Sequence, residues 1–283
     1  MKRFLSRVSV TVAIGILTSA MLLAGLQGPP GGGAAGGRGG AGARGGPAAP
    51  AGPPAPVPKE VAIARPPAEA NSAIAPVQTG VRNDTRHNAF VETAKNGDFD
   101  ILFEGDSITD WWQQAAPNGG TDVQKKYFGD VKVANFAVAG DTTQGVLWGL
   151  QNGEGQGRKP KAVMLMIGTN NTRANSGPEI AEGVGAVVYE LRKDFPDAKI
   201  MLLAIFPRGA GPTDASRVKN EEANKIIAKL DDGKHVFFRN INDKFLNPQG
   251  QLIGFRMDNL HPTAEGYEIW AKAVSDTLKG WAK

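Results

Sequence analysis

FDILFEGDSITD, residues 99–110, is the stretch whose reading decides the fold. The apolar run Ile101-Leu102-Phe103 reads as a buried strand, and Glu104-Gly105-Asp106-Ser107 ends it where glycine permits a tight turn and serine can open a helix. A strand that stops at a serine presents a hydroxyl at its carboxyl end. Further apolar runs recur at 131–137, 162–167, 199–206 and 236–241, and helical spacing occupies 85–96, 143–150, 178–195, 214–230 and 263–281. Strands that are apolar throughout and alternate with helices predict an α/β domain, with about five parallel strands and helices on both faces. In such sheets a site lies beyond the carboxyl ends of the strands.

Upstream of this region the texture differs. Residues 1–7 are short and basic (Lys2, Arg3, Arg7), and 8–26 are apolar with small residues, the pattern of an export signal or an uncleaved N-terminal anchor. From 27 to 79 the chain is rich in Gly, Pro and Ala, with little side chain to bury, and is expected to be a disordered linker. The folded domain is therefore expected at 80–283. Of 32 Lys/Arg and 28 Asp/Glu, seven cations and two acids fall before residue 80, so the basic balance belongs to the N-terminal region. The globular part is close to neutral, and a nucleic-acid partner is not expected. With no cysteine, the chain has no disulfide, thiolate metal site, cysteine nucleophile or lipid-modified cysteine.

The expected strand ends hold Gly105-Asp106-Ser107, then NFAVAGD (135–141), then IGTNN (167–171), and the loop before the last helix holds Asp258-Asn259-Leu260-His261-Pro262. Serine-based acyl transfer needs these parts: a nucleophile, oxyanion donors, and a base with an orienting acid. Asp258 precedes His261 by three residues, a spacing that lets a short loop fold the carboxylate toward the imidazole, although Asp243 is a rival acid. Of the other histidines, His87 lies in the first helix and His235 in a Lys-rich turn. Asp106 is expected to shape the turn. Trp111 and Trp112 either wall a substrate pocket or fill core, whereas Trp148, Trp270 and Trp281 read as packing.

These blocks resemble those of SGNH hydrolases of the GDSL esterase group: GDS at Ser107, Gly140 in the second block, Asn170 in GTNN and His261 in DNLHP. More narrowly, AGDTTQGVLWGLQNGE (139–154), IGTNN, FPRG (206–209) and LHPTAEGY (260–267) are similar to the catalytic subunits of intracellular platelet-activating-factor acetylhydrolases, over about 85–280. The resemblance implies a flavodoxin-like three-layer α/β/α sandwich and a serine esterase without metal or cofactor. It implies a triad of Ser107, Asp258 and His261, and an oxyanion hole of the Ser107 and Gly140 N–H groups with the Asn170 amide. Asp141 and Asn171 would support that hole, and Arg208 either braces a nearby loop or makes a surface ion pair. The resemblance also suggests an acetyl preference and a homodimer.

Export would bring such an enzyme to acetylated glycans, so a carbohydrate O-acetylesterase is the first expectation and activity on lipid acyl esters the second. The N-terminus could then serve as a membrane tether. Rivals from other classes are a non-catalytic carbohydrate- or protein-binding module on the same fold and a metal-dependent phosphoesterase using Asp106, Asp110 and Asp258.

Overall fold

A computed structural model describes residues 52–64 and 70–283. Its sheet has five strands: β1 (Ile101–Gly105), β2 (Val133–Asn135), β3 (Ala162–Met166), β4 (Lys199–Leu203) and β5 (Val236–Arg239). They lie in the order β2-β1-β3-β4-β5, every pair parallel. The chain steps from β1 outward to β2, then returns across β1 to β3. That reversal opens a crevice at the carboxyl end of β1.

The alternation of side chains along each strand builds two cores. Leu102, Val163, Leu165, Ile200 and Leu202 face one layer with α1 (Asp84–Asn96), α4 (Thr143–Gly149), α5 (Gly177–Asp194) and α6 (Ala215–Ile227). Ile101, Phe103, Met164, Met166, Met201 and Leu203 face the other, with α3 (Thr121–Phe128) and α7 (Ala264–Ala282). In α7 the buried Tyr267, Trp270, Ala271, Val274 and Leu278 recur at one-turn spacing, which is why this helix lies flat on the sheet. The predicted three-layer arrangement is the one observed. The short helix α3 was not expected, since only Val123 and Phe128 of its eight residues are buried and so few apolar positions carry no periodic signal.

The expected domain boundary at residue 80 falls too late. Residues 52–64 and 70–79 form a strap packed on α5: Ala55, Val61 and Ala73 are buried, the Ile63 N–H donates to Glu182 Oε1 (2.8 Å), and the Asn71 amide donates to Glu182 Oε2 (2.8 Å). Gly183 and Gly185 make this close approach feasible. A Cβ on Gly185 would lie 2.3 Å from Val61 Cγ2, and one on Gly183 2.9 Å from the Ala73 Cβ. The strap thus lies over helical glycines, which no apolar periodicity reveals. The export or anchor segment at 1–26 and linker residues 27–51 and 65–69 lie outside the described residues. Among the described residues no helix is long and apolar enough to cross a membrane.

Candidate active site

Strand β1 ends at Gly105 because nothing larger fits: a Cβ there would stand 2.3 Å from the Met166 carbonyl oxygen on β3. Its role is close approach to the neighbouring strand. Asp106 then caps the short helix α2 (Ser107–Asp110), accepting the Ile108 N–H at 3.0 Å. Burial pushes its carboxyl up to about 7, against the Ile108 N–H. Ser107, the first residue of that helix, has no intrahelical acceptor for its own N–H. Two contacts fix α2: the buried Tyr267 hydroxyl donates to the Ile108 carbonyl (2.8 Å), and Asp110 pairs with Arg86 (3.0 Å).

The loop before α7 brings the imidazole to this serine. Asp258 Oδ1 accepts the N–H groups of Leu260 and His261, both at 3.0 Å, so its side chain closes the turn while its other oxygen accepts His261 Nδ1 at 2.7 Å. Asn259 takes the left-handed conformation this needs, with φ +52°. On the far side of the ring, Nε2 lies 2.9 Å from Ser107 Oγ. Partial burial lowers the proton affinity of His261, Asp258 opposes this, and the Arg256 and Arg208 guanidinia lower it further; the net result lies below the ordinary histidine value. Asp258 is held below its usual range: desolvation works against this, but the His261 and Leu260 N–H groups and the imidazole outweigh it. A neutral imidazole between a hydroxyl and a carboxylate can accept a proton from that hydroxyl.

The third side of the crevice is the loop after β2. Gly140 is exposed and has φ +86°, a conformation that favours glycine. Asp141 behind it is fully buried, accepting Arg82 Nε (2.7 Å) and Thr79 Oγ1 (2.9 Å). Its carbonyl oxygen accepts Asn170 Nδ2 at 2.8 Å, which fixes the amide and leaves its second N–H to point elsewhere. Asn171 braces the same loop, accepting the Thr143 N–H (3.1 Å) and donating to Gln144 Oε1 (2.9 Å). Arg208 braces the β3 loop by donating from Nη1 to the Thr169 carbonyl and hydroxyl, both at 3.1 Å. It makes no ion pair among the described residues.

The structure brings Ser107, Gly140, Asn170, Asp258 and His261 to one crevice. Trp111 belongs to the site, with its ring centroid 4.0 Å from that of His261. Trp112 does not: it is fully buried against Tyr267 and Trp270. Asp243 is not the orienting acid, its side chain being exposed beside Lys244. His87 is buried on Glu154. Asp106, Asp110 and Asp258 are each engaged elsewhere, and among the described residues no group of three or more His, Cys, Asp or Glu side chains is placed to hold a metal ion.

Two functional features escape sequence reasoning. One is the Arg82 cluster: this fully buried guanidinium donates to Asp141, to Glu104 (3.0 Å) and to Glu154. Desolvation, opposed by Arg82, pushes Glu104 up to about 8 and Glu154 up to about 7, with repulsion from neighbouring carboxylates adding to it. A visible hint was Glu104 itself, a carboxylate inside an apolar strand that must find a partner. The other is Arg256, whose guanidinium lies 4.5 Å over the Trp111 ring.

Comparison with known proteins gives this geometry a context. Residues 103–269 match the GDSL-like lipase/acylhydrolase family. The chain is 34% identical over 214 residues to the platelet-activating factor acetylhydrolase IB subunit alpha2 of Rattus norvegicus, covering 75% of this chain and 90% of that protein. A Streptococcus pneumonia structure, provisionally described as a platelet activating factor, superposes with a TM-score of 0.58 at 23% identity, over 69% of this chain and 92% of that one. A carbohydrate acetylesterase from Sinorhizobium meliloti superposes with a TM-score of 0.51 at 19% identity, over 65% and 99%.

Proposed function

The chain belongs to the GDSL-like lipase/acylhydrolase family and is a carboxylic ester hydrolase, and from that premise we propose that Ser107 is its nucleophile, acting on short acyl esters, acetyl esters first. The observation that carries this is the unbroken line from Ser107 Oγ to His261 Nε2 (2.9 Å) and from His261 Nδ1 to Asp258 (2.7 Å). In this reading Oγ attacks the ester carbonyl while its proton passes to Nε2. Asp258 holds the Nδ1–H tautomer and stabilises the imidazolium. The Ser107 and Gly140 N–H groups and the free N–H of Asn170 receive the oxyanion. The imidazolium then protonates the leaving alcohol, and water, deprotonated by the same imidazole, releases the acid from the acyl-serine.

The acetyl preference is supported by the 34% identity to an acetylhydrolase. Among acetyl esters we place O-acetylated carbohydrate first, because the export-like segment at 1–26 would deliver the enzyme outside the cytoplasm, where such glycans occur. Lipid acetyl esters are the second reading, favoured by what the same relative is named for.

The test is hydrolysis of p-nitrophenyl acetate and butyrate by the full chain beside Ser107→Ala, with and without EDTA. Acetate cleavage that survives EDTA and disappears in Ser107→Ala is the expected result. A folded wild-type protein as inert as the mutant would overturn it in favour of a binding module.

A further inference from the structure

Arg82, Arg86, Arg158 and Arg217 each face a carboxylate. Arg173, Arg192, Arg208, Arg239 and Arg256 form no ion pair among the described residues; of these, Arg208 and Arg256 lie close enough to act on His261, and Arg173 acts on Arg208. Arg256 lies on the histidine loop, its guanidinium carbon over Trp111 at 4.5 Å from the ring centroid, and that ring in turn meets His261 (4.0 Å). Its Nε is buried without an acceptor. Arg208 is half-buried and joined through Nη1 to Thr169, the neighbour of Asn170, and the adjacent Gly209 N–H donates to the Asn259 carbonyl (2.8 Å). Arg173 ends the short helical turn that begins at Thr169.

Asp214, Asp106 and Asp258 act on Arg208 through space, but none of the nearby carboxylates forms an ion pair with these cations, each being held by other donors. Asp258 serves His261, Asp110 serves Arg86 and the Ala139 N–H, Asp214 caps α6, and the buried Asp106 caps α2. Like charges held together in a crevice are unfavourable unless a counter-charge joins them. Guanidinium is also the side chain best matched to the planar or tetrahedral oxygens of a carboxylate or phosphate. Contact with the Trp111 ring restricts the Arg256 side chain in advance, so less freedom is lost on binding.

We propose that the ester taken by this site carries an anionic group, received by Arg256 beside Trp111 and by Arg208 beside Thr169; this rests on the serine-esterase reading above. The anionic group takes no part in bond making. It places the acyl carbon at Ser107, and a carboxylate or a phosphate would satisfy the same donors.

The test uses the full chain and four aryl acetates: 4-acetoxybenzoate, its neutral methyl ester, 4-acetoxyphenyl phosphate and cationic 4-acetoxyphenyltrimethylammonium, each rate divided by that ester's spontaneous hydrolysis. Charge-assisted contacts of this kind are expected to favour the anionic esters in kcat/KM by roughly 10-fold or more, expressed mainly in KM and shrinking as salt is added. Arg256→Gln and Arg208→Gln should lower the anionic-to-neutral ratio, and Arg256→Lys should keep part of it. A larger gain with carboxylate points to an acidic sugar and with phosphate to a phosphorylated headgroup; either supports the proposal. Ser107-dependent hydrolysis without anionic preference, or a ratio unmoved in both folded Gln variants, overturns this inference and leaves the esterase reading standing. Absence of any Ser107-dependent hydrolysis overturns both.

Discussion

Asp141 and Asp258 flank the same serine, and the two regions that hold them are built in opposite ways. Asp141 is fully buried, gripped by Arg82 and Thr79 from the strap and helix side, and its backbone carbonyl fixes Asn170. Asp258 has a side chain 43% exposed and is held by N–H groups within three residues of it. The Asp141 side, the proposed oxyanion side, is thus rigid through long-range buried charge, and the Asp258 side, the proposed base side, through a local turn open to water. Buried charges are costly to leave unpaired, whereas exposed pairs are screened. Damage to the first region should register in folding, and damage to the second in chemistry.

The largest expected effect is on the base side. His261→Ala should reduce kcat by on the order of 10⁴-fold or more while the melting temperature barely moves, and Asp258→Ala should be about 10²-fold milder, since water can reach the freed Nδ1. Equal losses in the two variants would mean that Asp258 does more than orient the ring.

On the other side, Arg82→Met leaves Glu104, Asp141 and Glu154 buried without their cation. Urea unfolding is expected to register a loss of about 3–5 kcal/mol, partly recovered on acidification as the carboxyls take up protons. In the wild type the sign is set by Glu104 and Glu154, whose folded pKa values of about 8 and about 7 exceed the usual carboxyl range. The native state therefore binds more protons than the unfolded chain, and this cluster's contribution to stability falls as pH rises from the carboxyl range through about 8. Stability that climbed across that window would contradict the assignment.

Asn170→Ala joins the two regions, since it deletes the proposed oxyanion donor without removing a buried charge. Turnover should fall by ~10²–10³ with KM little changed. The smallest effect expected is on pH dependence. The acid limb of kcat/KM should lie below the ordinary histidine value because the His261 pKa is lowered. Removing one nearby cation in Arg256→Gln should move that limb to higher pH; a shift to lower pH would show that Arg256 does not act on the imidazole.

How much of this was legible followed the range of the interactions. The five strands and five of the helices are visible because burial on both faces of a parallel sheet leaves continuous apolar runs, and amphipathic helices leave one-turn spacing. Ser107, Asp258 and His261 are visible because their local motifs determine local geometry: a strand-to-helix turn and a three-residue loop. Trp111 and Trp112, adjacent in sequence, could not be told apart, since one faces His261 and the other is buried in the core. The strap was hidden because its grip on α5 depends on the absence of side chains at Gly183 and Gly185.

The amino-acid sequence by itself determined the layer architecture, the position of Ser107 at the end of β1 and the Asp258–His261 turn, all set by residues near one another in the chain. Only the tertiary structure decided that Arg82 would lock the Gly140–Asp141 loop, that the strap belongs to the folded body, and that Arg208 and Arg256 would meet beside His261 without ion-pair partners. Those features join residues separated by tens of positions, and a charge in a sequence carries no mark of the partner that the fold will bring to it.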